Sequence, residues 1–127
     1  MRLNQVTVAV SDVGRAVDFY TRLGLQLIVR GSADGTDTYA RFLCPDGDST
    51  LSVHTETVRA GTTLVCFECD DLDERVRALQ AEGYSVTDPE DQPWLWREAY
   101  LADPDGNPIM LFDGGGNRVD PPWRLPG

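Results

Sequence analysis

The feature that most constrains this chain is that it repeats itself. The segment SDVGRAVDFYTRLGL (11–25) resembles DDLDERVRALQAEGY (70–84). Asp12 and Asp71 each precede a helical pattern, Gly24 and Gly83 each end one, and PDG at 45–47 recurs at 104–106. Every pair is separated by the same 59 positions (12 to 71, 24 to 83, 45 to 104). A constant offset across separate landmarks marks two copies of one supersecondary unit.

Each copy reads β-α-β-β-β. In LNQVTVAV (3–10), Val6, Val8 and Val10 alternate with Gln5, Thr7 and Ala9, so an apolar and a mixed face are expected. Asp12 is placed to cap a helix whose apolar side carries Ala16, Val17, Phe19, Tyr20 and Leu23, and Gly24 suits its C-terminal end. Strands follow at about 25–30, 37–43 and 50–55, with PDG as the turn before the last. The second copy predicts a strand at 62–69, a helix at 71–82, and strands at 84–88, 95–102 and 107–113. The units therefore span 3–55 and 62–113, linked by 56–61, in a single domain at 1–113. The Gly- and Pro-rich tail 114–127 has little expected regular structure. The fold class is α+β: two tandem βαβββ units forming an open, barrel-like cleft. One face of each sheet packs on its helix, and the other is left for the cleft.

Charge narrows the partners. The chain of 127 residues carries a formal net charge of −10, with an isoelectric point near 4.3. All 11 basic residues are Arg. Nucleic acid and anionic membrane surfaces both select a basic footprint, so neither is an expected partner. No apolar run approaches the ~18 residues of a membrane span, and no apolar segment follows Met1 as in a signal peptide. A cytoplasmic location is expected. The three cysteines, Cys44, Cys66 and Cys69, are an odd set for a disulfide framework. Cys66 and Cys69 have CxxC spacing but fall in a predicted strand, where positions three apart point to opposite faces.

At this point the motifs VSDVGRAVDFY, FECDDLDERVRAL and DPDGNPIML resemble the vicinal oxygen chelate superfamily. That superfamily contains glyoxalase I, extradiol dioxygenases, methylmalonyl-CoA epimerase, fosfomycin-modifying enzymes and bleomycin-binding resistance proteins. The resemblance covers residues 3–113. It implies metal ligands, usually His, Glu or Gln, on the cleft face of the first and last strand of each unit. Those places fall here on Gln5, Ser52, Leu64 and Met110. A divalent ion held by oxygen and imidazole needs several hard or borderline donors, and this set offers one neutral amide oxygen. Met110 instead suits an apolar or aromatic ligand.

Other residues extend the candidate site. His54, the single histidine, lies two positions beyond Ser52 on the same face. Trp94 and Trp96 are expected to share a strand face, either as core or sheet-edge cover or as a flat wall for a planar ligand. Arg41 and Arg97 are candidates to hold a carboxylate or phosphate, with surface ion pairs as the plainer reading. Tyr39 and Tyr100 are candidate hydrogen-bond donors. The expected ligand site is Gln5, Thr7, Ser52, His54, Trp94, Trp96 and Met110. The first expectation is a metal-free, cofactor-free binding protein for a small planar molecule, of the bleomycin-resistance kind. The alternative is a lyase, isomerase or dioxygenase-type enzyme, either metal-dependent through Gln5 and His54 or metal-free with His54 as acid–base catalyst. A homodimer is expected, with Trp123, flanked by prolines in the tail, docking near the ligand.

Overall fold

Alternating apolar residues make the first strand, and the computed structural model, which describes residues 2–127, begins its regular structure there. Strand β1 (Gln5–Val10) leads into α1 (Val13–Leu23), β2 (Gln26–Ala33), β3 (Thr36–Leu43) and β4 (Thr50–Thr55). They form one four-stranded sheet in the order β1-β4-β3-β2. β1 runs parallel to β4, and the other neighbours are antiparallel. Val8, Val10, Ala40, Phe42, Leu51 and Val53 are buried on one face, where α1 contributes Ala16, Val17 and Tyr20. Tyr20 packs tilted against Phe42, with ring centroids 5.6 Å apart.

Local chemistry sets the ends of α1. The Asp12 side chain accepts a hydrogen bond from the Arg15 amide at 2.9 Å, which satisfies an orphan donor of the first turn. Gly24 ends the helix at φ +125°, a conformation that L side chains rarely adopt. Between β2 and β3, Asp34 and Gly35 both take positive φ, as a two-residue hairpin requires.

The second unit contains β5 (Val65–Glu68), α2 (Leu72–Ala81), β6 (Glu90–Asp91), β7 (Arg97–Ala102) and β8 (Pro108–Asp113). Its sheet has the order β5-β8-β7-β6. Leu72, Val76 and Leu79 of α2 are buried, as are Ala99, Leu101, Ile109 and Leu111 of the sheet. The fold is therefore α+β, with two βαβββ units.

Three strand expectations change. The strand expected at 62–69 is shortened to Val65–Glu68, and the one expected at 95–102 begins at Arg97. Residues 84–88 form no strand. Thr87 bonds β7, through its amide to the Tyr100 carbonyl at 2.9 Å and through its hydroxyl from the Tyr100 amide at 2.8 Å. The pairing strand is Glu90–Asp91, opposite Arg97 and Glu98. The tail contributes one short 3-10 helix, Gly115–Arg118. By contacts, residues 103–107 group with the first unit although they lie within the second repeat. The reason is a polar knot: Asp103 accepts from the buried Tyr20 hydroxyl at 2.9 Å, and Asp105 accepts from the exposed Ser11 hydroxyl at 2.5 Å.

Candidate functional site

In the first unit, period-two alternation sends Gln5, Thr7, Ser52 and His54 to the sheet face opposite α1. Register pairs Gln5 with Thr50, Thr7 with Ser52 and Ala9 with His54. On the other side of β4, Arg41 lies opposite Ser52 and Tyr39 opposite His54. The four expected residues of this unit thus share one face, joined by Tyr39 and Arg41.

Hydrogen bonds tie this face together. The Tyr39 Oη and Ser52 Oγ are 2.8 Å apart, and Arg41 Nε donates to Tyr39 Oη at 2.9 Å. Thr50 Oγ1 donates to Gln5 Oε1 at 2.9 Å. Burial pushes the Tyr39 phenol up, but hydrogen bonds with Ser52 and Arg41, the Arg41 charge and Gln5 outweigh it, and its pKa falls below the ordinary value. Ser52 has no solvent exposure, so its role runs through Tyr39. His54 Nε2 lies 3.5 Å from the Glu56 carboxylate at the end of the strand.

In the second unit the face opposite α2 carries Cys66, Glu68, Glu98, Tyr100, Met110 and Phe112. Cys66, Met110 and Tyr100 form one cross-strand row, and Glu68, Phe112 and Glu98 the next. Cys66 is exposed and Cys69 buried, so the CxxC pair does not converge. Burial, then the negative charge of Glu98, raises the Cys66 thiol pKa.

The tryptophans correct an expectation. Trp94 and Trp96 do not share a strand face, because 92–96 is a turn. The Leu95 amide donates to the Gln92 carbonyl at 3.0 Å, and Leu95 itself takes φ +67°. The consequence is two different roles. Trp96 stacks on Phe112, with centroids 4.4 Å apart and planes 16° from parallel. Trp94 is 46% exposed, and its Nε1 donates to Glu98 at 2.5 Å. Met110 is buried at 4% exposure.

Glu98 was not legible as a site residue, because a single Glu in a strand reads as solvent-facing. It is only 3% exposed. Its second donor is the Tyr100 hydroxyl. That bond, then burial and the Glu98 charge, pushes the Tyr100 phenol up to about 12. Arg97 follows its plainer reading: it forks onto Asp73 at 2.8 Å and reaches Asp91 at 3.0 Å.

These residues can be set against the metal that the fold family implies. Gln5 offers an amide oxygen already engaged by Thr50, and Ser52 a hydroxyl engaged by Tyr39. Leu64 has no donor atom, and the Met110 thioether is soft. This donor set does not fit a divalent ion bound through oxygen and nitrogen.

Comparison with known proteins now bears on the family. Residues 2–111 match the family model of the Glyoxalase/Bleomycin resistance protein/Dioxygenase superfamily. The chain belongs to this superfamily. No curated protein matches its sequence. Among solved structures, the chain is similar to TnmS3, an antibiotic binding protein from Streptomyces sp. CB03234. Identity is 28%, the TM-score is 0.77, and the match covers 91% of this chain and 97% of that one. It is also similar to TioX from Micromonospora sp. ML1, at 25% identity and a TM-score of 0.73, covering 91% and 100% of the two chains. A bleomycin-binding protein complexed with bleomycin shares the fold, at 23% identity and a TM-score of 0.72, covering 91% and 99%. Among the described residues, no helix is long and apolar enough to cross a membrane.

Proposed function

We propose that this superfamily member binds a small planar or aromatic molecule on the helix-free faces of its sheets, and that it does so without a metal. The observation that carries the reading is the aromatic surface of the second unit. Trp94 and Tyr100 stay exposed, and the half-buried Trp96 is stacked on buried Phe112. Flat aromatic groups at a surface favour offset stacking with a planar ligand. On the first unit taken by itself, Gln5, Thr7 and His54, with Tyr39 held by Ser52, are hydrogen-bonding groups on the helix-free face. Similarity to a protein described as antibiotic binding supports sequestration as the outcome of binding.

An acid–base enzyme working through His54 has less support. His54 Nε2 faces the Glu56 carboxylate, whose side chain is 61% exposed. A pair so open to water is weakly coupled. A cytoplasmic homodimer belongs to the same proposal. Val119, Trp123 and Leu125 expose apolar surface along the tail, which suits docking onto a second copy.

Titration of the purified protein with bleomycin and with flat polycyclic aromatics, read by tryptophan fluorescence, tests this. Saturable quenching, unchanged by EDTA and with less than stoichiometric metal by elemental analysis, is the expected result. Absence of quenching by every compound, or its loss on chelation, would refute the reading.

A further inference from the structure

Arg41 is a charge that its own chain leaves unanswered. Other arginines of this acidic protein sit on carboxylates: Arg30 lies 2.5 Å from Asp37, and Arg97 lies 2.8 Å from Asp73. Arg41 is half-buried on β3, on the sheet face opposite α1. Its Nε donates to Tyr39 Oη, and its guanidinium carbon lies 5.6 Å from the centre of the Tyr39 ring. Among the described residues, no carboxylate pairs with it and its terminal nitrogens have no partner. A half-buried cation has lost part of its hydration; Tyr39 repays some of it through Nε and its ring, and no carboxylate repays the rest.

The side chain is also held in place. Ser52, fully buried, fixes the Tyr39 hydroxyl. Tyr39 in turn fixes Nε, so the two terminal nitrogens present a preset fork. That fork matches an anionic oxygen pair or a single oxyanion. The lowered pKa of the Tyr39 phenol reports the same local preference for negative charge on oxygen. Carbon and sulfur groups gain little from such a fork.

We propose that Arg41 anchors an ionised oxygen, a phenolate or a carboxylate, carried by a small planar molecule at this face of the first unit. This rests on the planar-ligand reading above and names a chemical class of ligand for the first unit's face. A phenolic ligand would lose its O–H proton to solvent on binding, with no other bond made or broken. Tyr39 is a positioning residue here: it aims the guanidinium.

Three coumarins, added to the full chain, test the assignment. 7-Hydroxycoumarin ionises to a phenolate with a distinct absorption band, coumarin-3-carboxylate is already anionic, and 7-methoxycoumarin is neutral throughout. The expected result is binding of all three, with about tenfold tighter binding of one acid or both than of the methoxy compound. For the phenol this equals a fall of about one pH unit in the ionisation of the bound dye. Gain for the phenol alone identifies a phenolate ligand, and gain for the carboxylate alone a carboxylate ligand. Arg41→Gln should remove the preference while keeping affinity for 7-methoxycoumarin, which also reports that the variant is folded. Arg41→Lys should keep part of the preference, and Tyr39→Phe should weaken it. Equal binding of all three by the wild type with no spectral shift overturns the anchor alone. Retention of the preference in Arg41→Gln does the same. Failure of all three to bind refutes the planar-ligand reading and the anchor with it.

Discussion

Replacing Asp103 with Ala removes the centre of a polar knot that holds the turn 103–107 in the first unit. The Asp103 carboxylate accepts four hydrogen bonds at 2.9 Å: from the Tyr20 hydroxyl, the Asp105 and Asn107 amides, and the Asn107 side chain. It is 5% exposed, and Tyr20 is 1% exposed. Hydrogen bonds to a charged group contribute ~1.5–3 kcal/mol each, and a buried donor left without a partner costs ~1–3 kcal/mol. The amides of residues 105 and 107 are in a half-exposed turn and can turn to water. The Tyr20 hydroxyl cannot. The net loss should be ~3–5 kcal/mol, at the large end for a single substitution. Tyr20→Phe should cost only ~1–1.5 kcal/mol, since it removes one donor and leaves Asp103 its other three. In the double variant no orphan hydroxyl remains, so the losses should be sub-additive by ~1–2 kcal/mol. Urea unfolding followed by far-ultraviolet circular dichroism measures all three. A loss below ~1 kcal/mol for Asp103→Ala, or strict additivity of the pair, would refute the knot as a source of stability.

Other expectations follow from the second unit and the tail. The Tyr100 phenol, raised to about 12 by its bond to Glu98, should titrate well above an ordinary tyrosine, and Glu98→Gln should bring it back toward ~10 in an ultraviolet titration. Because the folded-state value is the raised one, the stabilisation is fully present below pH ~10 and is lost as pH climbs from there through the folded value; constant alkaline stability across that window would count against it. Gly114→Ala would place a methyl group 3.1 Å from Trp96 Nε1 and 3.2 Å from Phe112 Cε2, so it should disturb the stack and cost ~1–2 kcal/mol, seen in the melting temperature and in tryptophan fluorescence. Truncation after Gly116 removes Trp123 and Leu125, 56% and 84% exposed, and should give a smaller assembly by light scattering or weaker ligand binding; unchanged mass and affinity would leave the tail without that role.

The sequence by itself determined the repeat and, through it, the fold. Alternation in 3–10, a capping Asp12, a Gly24 that takes positive φ and a repeated PDG are local signals. Each acts within a few residues, so a linear reading detects them. The same alternation put Gln5, Thr7, Ser52 and His54 on one face, because side-chain direction in a strand follows from position alone. Tertiary structure decided what local pattern cannot encode. Residues 84–88 have strand-like composition, yet a strand exists only where a partner supplies hydrogen bonds, and β7 is instead paired by Glu90 and Asp91. The spacing of Trp94 and Trp96 suggested one face, but the positive φ of Leu95 turns the chain between them. Glu98 and Asp103 are ordinary surface residues by type. They became buried acceptors because Trp94, Tyr100 and Tyr20 came to bear on them in space. Arg41 shows the same division: its place on the sheet face is written in the register, whereas its lack of a carboxylate partner is a property of every other side chain's position.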